Sequence, residues 1–259
     1  MADAGLADAV AAIAEEAGAL ALRHWRTDFP RWEKGPNDPV SQVDLDVNAL
    51  LHARLSALLP DAGWLSEETA DNADRLACGR VWVVDPIDGT RDFIRGRDGW
   101  AVSVALVEHG RVTIGILDAP ARNDVWQAVL GHGATRNGAA IHVGDRRVFS
   151  GSRVPSDGLP KADRDLVAVA KPNSIALRIA MVAADEADLV ATLRWGYEWD
   201  VAAAALIAAE AGATVTDAFG APLAFNTPRA QAFGVLATAP GIHAAAVERL
   251  SERARTLSV

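Results

Sequence analysis

The residues of this sequence best suited to chemistry are two carboxylates three positions apart at the end of an apolar run. They are Asp85 and Asp88 in Val81-Trp82-Val83-Val84-Asp85-Pro86-Ile87-Asp88-Gly89-Thr90. Pro86 fixes φ between them, so both can point to one place while the Ile87 carbonyl is also available. Hard oxygen donors of that kind suit Mg²⁺. Gly89 permits close backbone approach, and Thr90 adds a hydroxyl and an amide at what reads as a helix start, where free N–H groups suit a phosphate. Asp, Pro and Gly are also ordinary turn formers, and taken alone the segment reads equally well as a turn.

Three other features bear on that choice. Glu67-Glu68 follows Trp64-Leu65-Ser66, Asp200 follows Trp199 at a helix entrance, and Asp44 closes Pro39-Val40-Ser41-Gln42-Val43-Asp44. Each has a plain structural reading: a solvated turn for the glutamates, an N-cap for Asp200, a first-turn dipole partner for Asp44. Their combination is harder to ascribe to accident. The six His residues show no HxxxH or HExxH spacing and read as scattered surface or core residues.

Elements must carry these acids to one place. Leu6, Val10, Ile13, Ala17, Leu20 and Ala21 recur at helical spacing, and Val43, Val47, Leu50, Leu51, Leu55 and Leu58 mark a second helix stopping at Pro60. Between them, residues 28–40 carry Pro30, Gly35, Pro36 and Pro39 and read as a turn-rich loop. The period then changes. Val81–Val84 reads as a buried strand, and 100–107, 112–117 and 125–130 as further strands with turns at Gly110 and at Gly131–Gly138. The first half is thus expected to hold helices followed by a largely antiparallel sheet.

A composition shift near residue 150 divides the chain into 1–150, with most of the acids, and 151–259, which supplies Asp200 and is expected to pack closely with the first part as one unit. In the second part, 166–170 is a short apolar run. Ile175, Ile179 and Val182 mark a helix, and 201–211 another stopping at Gly212. Residues 213–215 and 233–237 read as strands and 242–250 as a closing helix. That alternation favours an α/β layer.

Composition narrows the partners. The chain has 259 residues, 34 Asp and Glu against 25 Lys and Arg, and a formal charge of -9 with no long basic run. Neither a nucleic acid polymer nor an anionic membrane is an expected partner. Cys78 is the only cysteine, so no intrachain disulfide is possible and a cytoplasmic location is expected. No apolar stretch reaches the ~20 residues that cross a bilayer.

The acids, in this order, resemble the inositol monophosphatase superfamily of Mg²⁺-dependent, lithium-sensitive phosphatases. The carrying motifs are Val40-Ser41-Gln42-Val43-Asp44, Glu67-Glu68, Asp85-Pro86-Ile87-Asp88-Gly89-Thr90 and Trp199-Asp200-Val201-Ala202-Ala203, with Gly131–Gly138 similar to the family's glycine-bracketed hairpin. The resemblance implies an α/β fold, a layered α-β-α-β-α sandwich of the inositol monophosphatase and fructose-1,6-bisphosphatase type. It also implies a homodimer and two or three Mg²⁺ ions. Glu67, Asp85, the Ile87 carbonyl, Asp88 and Asp200 look like the metal ligands, with Glu67 also catalytic. Thr90 resembles the hydroxyl that orients the attacking water, and Asp44 its carboxylate partner. Gly89, Thr90 and Asp200 would meet the substrate, as could Lys171 and Glu198. Two metals would generate a hydroxide and stabilise both the attacking and leaving oxygens.

A rival phosphatase class, the haloacid dehalogenase type, uses a D-x-D-G-T loop with a nucleophilic Asp. Here Pro86 and Ile87 make the spacing one residue too long. The substrate stays open between inositol monophosphate and a 3′(2′),5′-bisphosphate nucleotide, with histidinol phosphate, or a catalytically silent phosphate-binding relative, as alternatives. Arg91-Asp92-Phe93 after Thr90 looks more like the nucleotidase and histidinol-phosphatase branch, whereas Ala170-Lys171-Pro172-Asn173-Ser174 does not resemble the nucleotidases' Ser-Arg-Ser-His.

Overall fold

Helix α1 (Ala4–His24) turns Ala7, Val10, Ala14, Ala17 and Ala21 inward at helical spacing. The chain then forms a hairpin, β1 (Arg31–Gly35) and β2 (Asp38–Ser41), paired antiparallel. This corrects the expected loop over residues 28–40. Pro39 stands on the short β2 of a two-stranded hairpin, an edge setting that tolerates proline. A computed structural model describes residues 4–36 and 38–258, so Asn37 within this hairpin lies outside the described residues. Helix α2 (Gln42–Leu58) follows and buries Val43, Val47, Leu51 and Leu55.

A seven-stranded sheet comes next: β3 (Gly63–Ser66), β4 (Arg80–Asp88), then the short helix α3 (Thr90–Ile94), β5 (Ala101–Glu108), β6 (Arg111–Ala119), β7 (Asp124–Val129), β8 (Ala134–Arg136) and β9 (Ala139–Ala140). The strands lie in chain order; β3 runs parallel to β4 and every other neighbour is antiparallel. β4 is buried on both faces, which is why it reads as an unbroken apolar run. Trp82 and Val84 pack with α1 and α2, while Val81 and Val83 join the core on the opposite face.

That opposite core includes α4 (Ile175–Ala183) and α5 (Glu198–Glu210), which follow a parallel strand pair, β10 (Arg153–Pro155) and β11 (Val167–Val169). Helix α5 sits so close to β6 that a Cβ on Gly115 would lie 2.6 Å from the Ala203 carbonyl oxygen. Beyond these helices is a three-stranded antiparallel sheet of β12 (Leu189–Ala191), β14 (Thr214–Thr216) and β16 (Leu236–Thr238), with β16 in the middle. Its other face packs Leu189 and Leu236 on Ile242, Ala246 and Leu250 of the last segment, which includes α6 (His243–Leu257). The layers therefore run α-β-α-β-α.

The single strand expected over 233–237 is two. β15 (Gln231–Phe233) pairs with β13 (Trp195–Tyr197), and β16 starts after Gly234, whose φ of +71° breaks the extended run. The strands of the second half pair mainly antiparallel, within the layer of strands and helices that their alternation suggested. The largest core cluster draws side chains from both sides of residue 150. Among the described residues no helix is long and apolar enough to cross a membrane.

Candidate active site

The ladder between β4 and β5 is regular up to Asp85, which pairs with Ser103, and then slips so that Asp88 pairs with Ala101. Three steps along β4 match two along β5. In a regular strand, positions 85 and 88 would face opposite sides. The extra residue of the bulge brings them to the same side, and both line one cleft of about 730 Å³. Pro86 sits in the break, where the ladder needs no N–H.

Gly89 follows with φ +97°, and a Cβ there would lie 2.6 Å from the Gly99 carbonyl oxygen and 2.9 Å from the Ser174 amide. Only glycine fits this crossing of three segments. The turn delivers Thr90, whose hydroxyl lies 3.1 Å from the Ile87 carbonyl oxygen and 3.4 Å from Asp44 Oδ1.

Asp44 and Asp200 reach the site by the same local device. Asp44 is the third residue of α2, and its Oδ2 accepts from the Ser41 amide at 2.9 Å and the Ser41 hydroxyl at 2.5 Å. That capping box occupies Oδ2 and leaves Oδ1 facing Thr90. Asp200 is likewise the third residue of α5 and accepts from the Tyr197 amide at 3.2 Å; the N-cap residue is Tyr197, not Asp200. Asp88 is held from α4: Oδ2 accepts from the Ser174 hydroxyl at 2.5 Å and the Ala176 amide at 2.7 Å, and Oδ1 from the Ile175 amide at 3.3 Å. Asp85 Oδ1 accepts from the Ile87 amide at 3.0 Å. Glu67, just after β3, pairs with Lys34 Nζ at 3.0 Å, and Lys34 also reaches Glu68 at 2.7 Å.

The electrostatics record how these acids crowd together. Burial pushes the Asp85 carboxyl well above the usual range, and the charges of Glu67, Asp88, Asp200 and Asp44 add to it. Burial, then Asp88 and Glu67, raise Asp200 to about 8. Asp44 is raised to about 6 by burial, against the pull of its Ser41 hydrogen bonds. Asp88 is also raised to about 6, by burial offset by its bonds from Ser174 and Ala176 and by the Arg178 charge. Among the described residues, no group of three or more His, Cys, Asp or Glu is set at metal-holding spacing as the chain stands. Bare carboxylates repel one another, and Lys34 takes Glu67. The donor set itself fits a hard divalent cation: four carboxylates and the Ile87 carbonyl, all oxygen, with Asp85 facing negative neighbours.

One expected substrate contact is corrected. Glu198 is fully buried, and its carboxylate accepts from the Asn226 amide at 2.6 Å, the Thr227 amide at 2.8 Å and the Thr227 hydroxyl at 2.6 Å. As the first residue of α5 it points inward and pins the 226–227 segment, so it offers nothing to a substrate. Lys171 does line the cleft and pairs with Asp157 at 2.7 Å. Sequence reading passed over Arg178 and Arg194, which line the same cleft. Arg178 donates from Nε to the Pro172 carbonyl at 2.8 Å and from Nη2 to that of Asn173. Its position one helical turn after Ser174 was the available signal. Tyr197 stacks on Trp199 with ring centroids 4.3 Å apart and planes 6° from parallel, and both line the cleft. Trp82 and Trp100 are core residues, whereas Trp195 is exposed.

The sequence model of the inositol monophosphatase family matches residues 3–256. A Thermotoga maritima protein named fructose-1,6-bisphosphatase/inositol-1-monophosphatase is 33% identical over 213 residues, covering 78% of this chain and 81% of its own. An Escherichia coli protein named 3′(2′),5′-bisphosphate nucleotidase CysQ is 33% identical over 204 residues, covering 76% and 82%. The solved structure of a Thermotoga maritima IMPase superposes with a TM-score of 0.81 at 27% identity, covering 95% of this chain and 96% of that one.

Proposed function

Because the chain belongs to the inositol monophosphatase family and is a phosphoric monoester hydrolase like its named relatives, we propose that it is a Mg²⁺-dependent phosphatase whose preferred substrate is a 3′(2′),5′-bisphosphate nucleotide. Glu67, Asp85, the Ile87 carbonyl, Asp88 and Asp200 would hold the metal. When bound, Mg²⁺ supplies positive charge to the phosphate oxygens and lowers the pKa of water.

The remaining chemistry falls to the chain's own residues. Thr90 Oγ1 accepts a proton from the attacking water as its own passes to Asp44 Oδ1. Asp44, with a pKa near 6, is a carboxylate at neutral pH yet basic enough to receive it. Ser41 keeps Asp44 from rotating away. The amides of Gly89 and Thr90 meet the phosphate oxygens at the turn. No covalent phosphoenzyme is required; a phosphorylated Asp85 trapped with substrate would overturn this route.

The observation that carries the substrate choice is the rest of the cleft's lining. Arg91, Lys171, Arg178 and Arg194 line it together with the carboxylates and the stacked Tyr197 and Trp199. A second phosphate would add negative charge beside these cations and a planar base could stack on the aromatic pair, whereas an inositol monophosphate offers neither. The test is kcat/KM for 3′-phosphoadenosine 5′-phosphate, inositol 1-phosphate, histidinol phosphate and fructose 1,6-bisphosphate with Mg²⁺. The expected result is at least tenfold preference for the nucleotide; a preference for inositol 1-phosphate rejects it. Inhibition by Li⁺ and a homodimer belong to the same proposal, checked by assay with LiCl and by light scattering.

A further inference from the structure

A second cleft, of about 640 Å³, lies behind the wall that α3 and the 170–173 segment make for the first. Lys171 lines both clefts, while Asn173 and Thr90 face the first and Pro172 and Asp92 the second. Its cations are Arg26, Arg97, Arg122 and Lys171, against the acids Asp92 and Asp98. In a chain of net charge -9 this is a reversal of the prevailing sign.

The arginines are held in an unusual way. The Gly96, Arg97 and Asp98 carbonyls of one loop accept, in turn, from Arg26 Nε at 2.9 Å, Trp25 Nε1 at 3.1 Å and Arg122 Nε at 2.8 Å. The Arg26 guanidinium also lies 3.9 Å from the Trp25 ring centroid. Each of these two guanidinium groups thus donates its loop hydrogen bond through Nε, and Arg122 is also ion-paired with Asp98. The terminal nitrogens of Arg26 have no hydrogen-bond partner among the described residues. Arg122 Nη2 stands 3.6 Å from Asp98 Oδ1, and Arg97 Nη1 3.8 Å from Asp92 Oδ1, both beyond hydrogen-bond reach. Asp92 is held in the wall, where its Oδ2 accepts from the Asn173 amide at 3.0 Å. Bracing the loop therefore uses one nitrogen of each arginine and leaves the paired terminal donors, the geometry that binds a tetrahedral oxyanion bidentately.

We propose that this second cleft is a binding site for a phosphate group, separate from the catalytic cleft and independent of the metal. The site does not depend on the substrate preference proposed above. The probe is inorganic phosphate, titrated by calorimetry into the full chain in EDTA at constant ionic strength, with methylphosphonate in a parallel arm. One saturable site is expected in the parent. Its affinity should fall at least tenfold in Arg97→Gln and in Arg26→Gln, and stay within twofold in Arg194→Gln, whose side chain lines the catalytic cleft and not the second one. Arg26 also braces the loop, so Arg97→Gln, whose side chain is two-thirds exposed and braces nothing, keeps the experiment decisive if Arg26→Gln does not fold. In Arg97→Gln the kcat/KM with Mg²⁺ should stay within twofold of the parent. Methylphosphonate binding as tightly as phosphate supports a site open to phosphate groups carried on larger molecules; binding of phosphate alone supports a site for the free ion. Absence of saturable binding in the parent, or its loss in Arg194→Gln but not in Arg97→Gln, overturns the proposal.

Discussion

Asp85 and Asp118 are both buried carboxyls raised above their ordinary range, yet their surroundings differ. Asp85 is raised by burial and by four neighbouring acids, and it lines an open cleft together with cations. Asp118, near the end of β6, is raised to about 7 by burial and by Glu15 alone. It lies beneath α1, where its Oδ2 has no hydrogen-bond partner and where a Cβ on Gly18 would collide with it. Crowded acids facing an open cleft await a positive charge. A lone acid under a helix without a cleft is a packing constraint, which burial keeps protonated near neutrality.

The comparison can be broken first at Asp85. Asp85→Asn should lower phosphate release with Mg²⁺ at least about 10³-fold, roughly 4 kcal/mol of barrier, and Asp200→Asn similarly; release equal to the parent's would sink the metal assignment. Thr90→Ala should lower kcat about 10²-fold with little change in KM, because its hydroxyl acts in the transition state more than in binding. A rise in KM at constant kcat would instead make Thr90 a binding residue.

On the other side, Gly18→Ala should leave kcat/KM unchanged while lowering stability by about 1–2 kcal/mol in denaturant melts. Overpacking against Asp118 and Pro120 then outweighs alanine's better helix propensity. A gain in stability would show that β6 and α1 separate easily. The last effect is in pH. Asp118 titrates near 4 unfolded and near 7 folded, so its contribution is full below pH 4 and is lost as pH rises to 7, by up to about 1.4 kcal/mol per unit. Asp200, near 8, behaves likewise in the absence of metal. Saturating Mg²⁺ should therefore suppress the cleft's share of the decline in Tm between pH 5 and 8 and leave that of Asp118, which Asp118→Asn should remove. A slope unchanged by Asp118→Asn would reassign it.

Much of the first half was legible because its signals are local. β4 to β7 announce themselves by apolar strand runs, and α2 by the Ser41–Asp44 capping pair and its Val43, Val47, Leu51 and Leu55 stripe. The β1–β2 hairpin was missed because β1 is exposed and neither strand carries an apolar alternation. The break at Gly234 was missed because the partners of β15 and β16, on β13 and β12, are remote in sequence. Glu198 was misread for the same reason. Its three hydrogen bonds come from residues 28 and 29 positions away, and nothing local distinguishes a carboxylate that pins a loop from one that greets a substrate.

By itself the sequence determined the oxygen-rich donor types, their order along the chain and the family to which they belong. Those properties reside in residue identity and short spacing. Tertiary structure alone decided that a bulge returns Asp85 and Asp88 to one side, that Asp88 hangs from the start of α4, and that Arg178 and Arg194 share a cleft with the carboxylates. It also decided that three arginines gather in a second cleft behind them. Electrostatic fields depend on distance through space, and here Glu67 acts on Asp200 although 133 residues separate them along the chain.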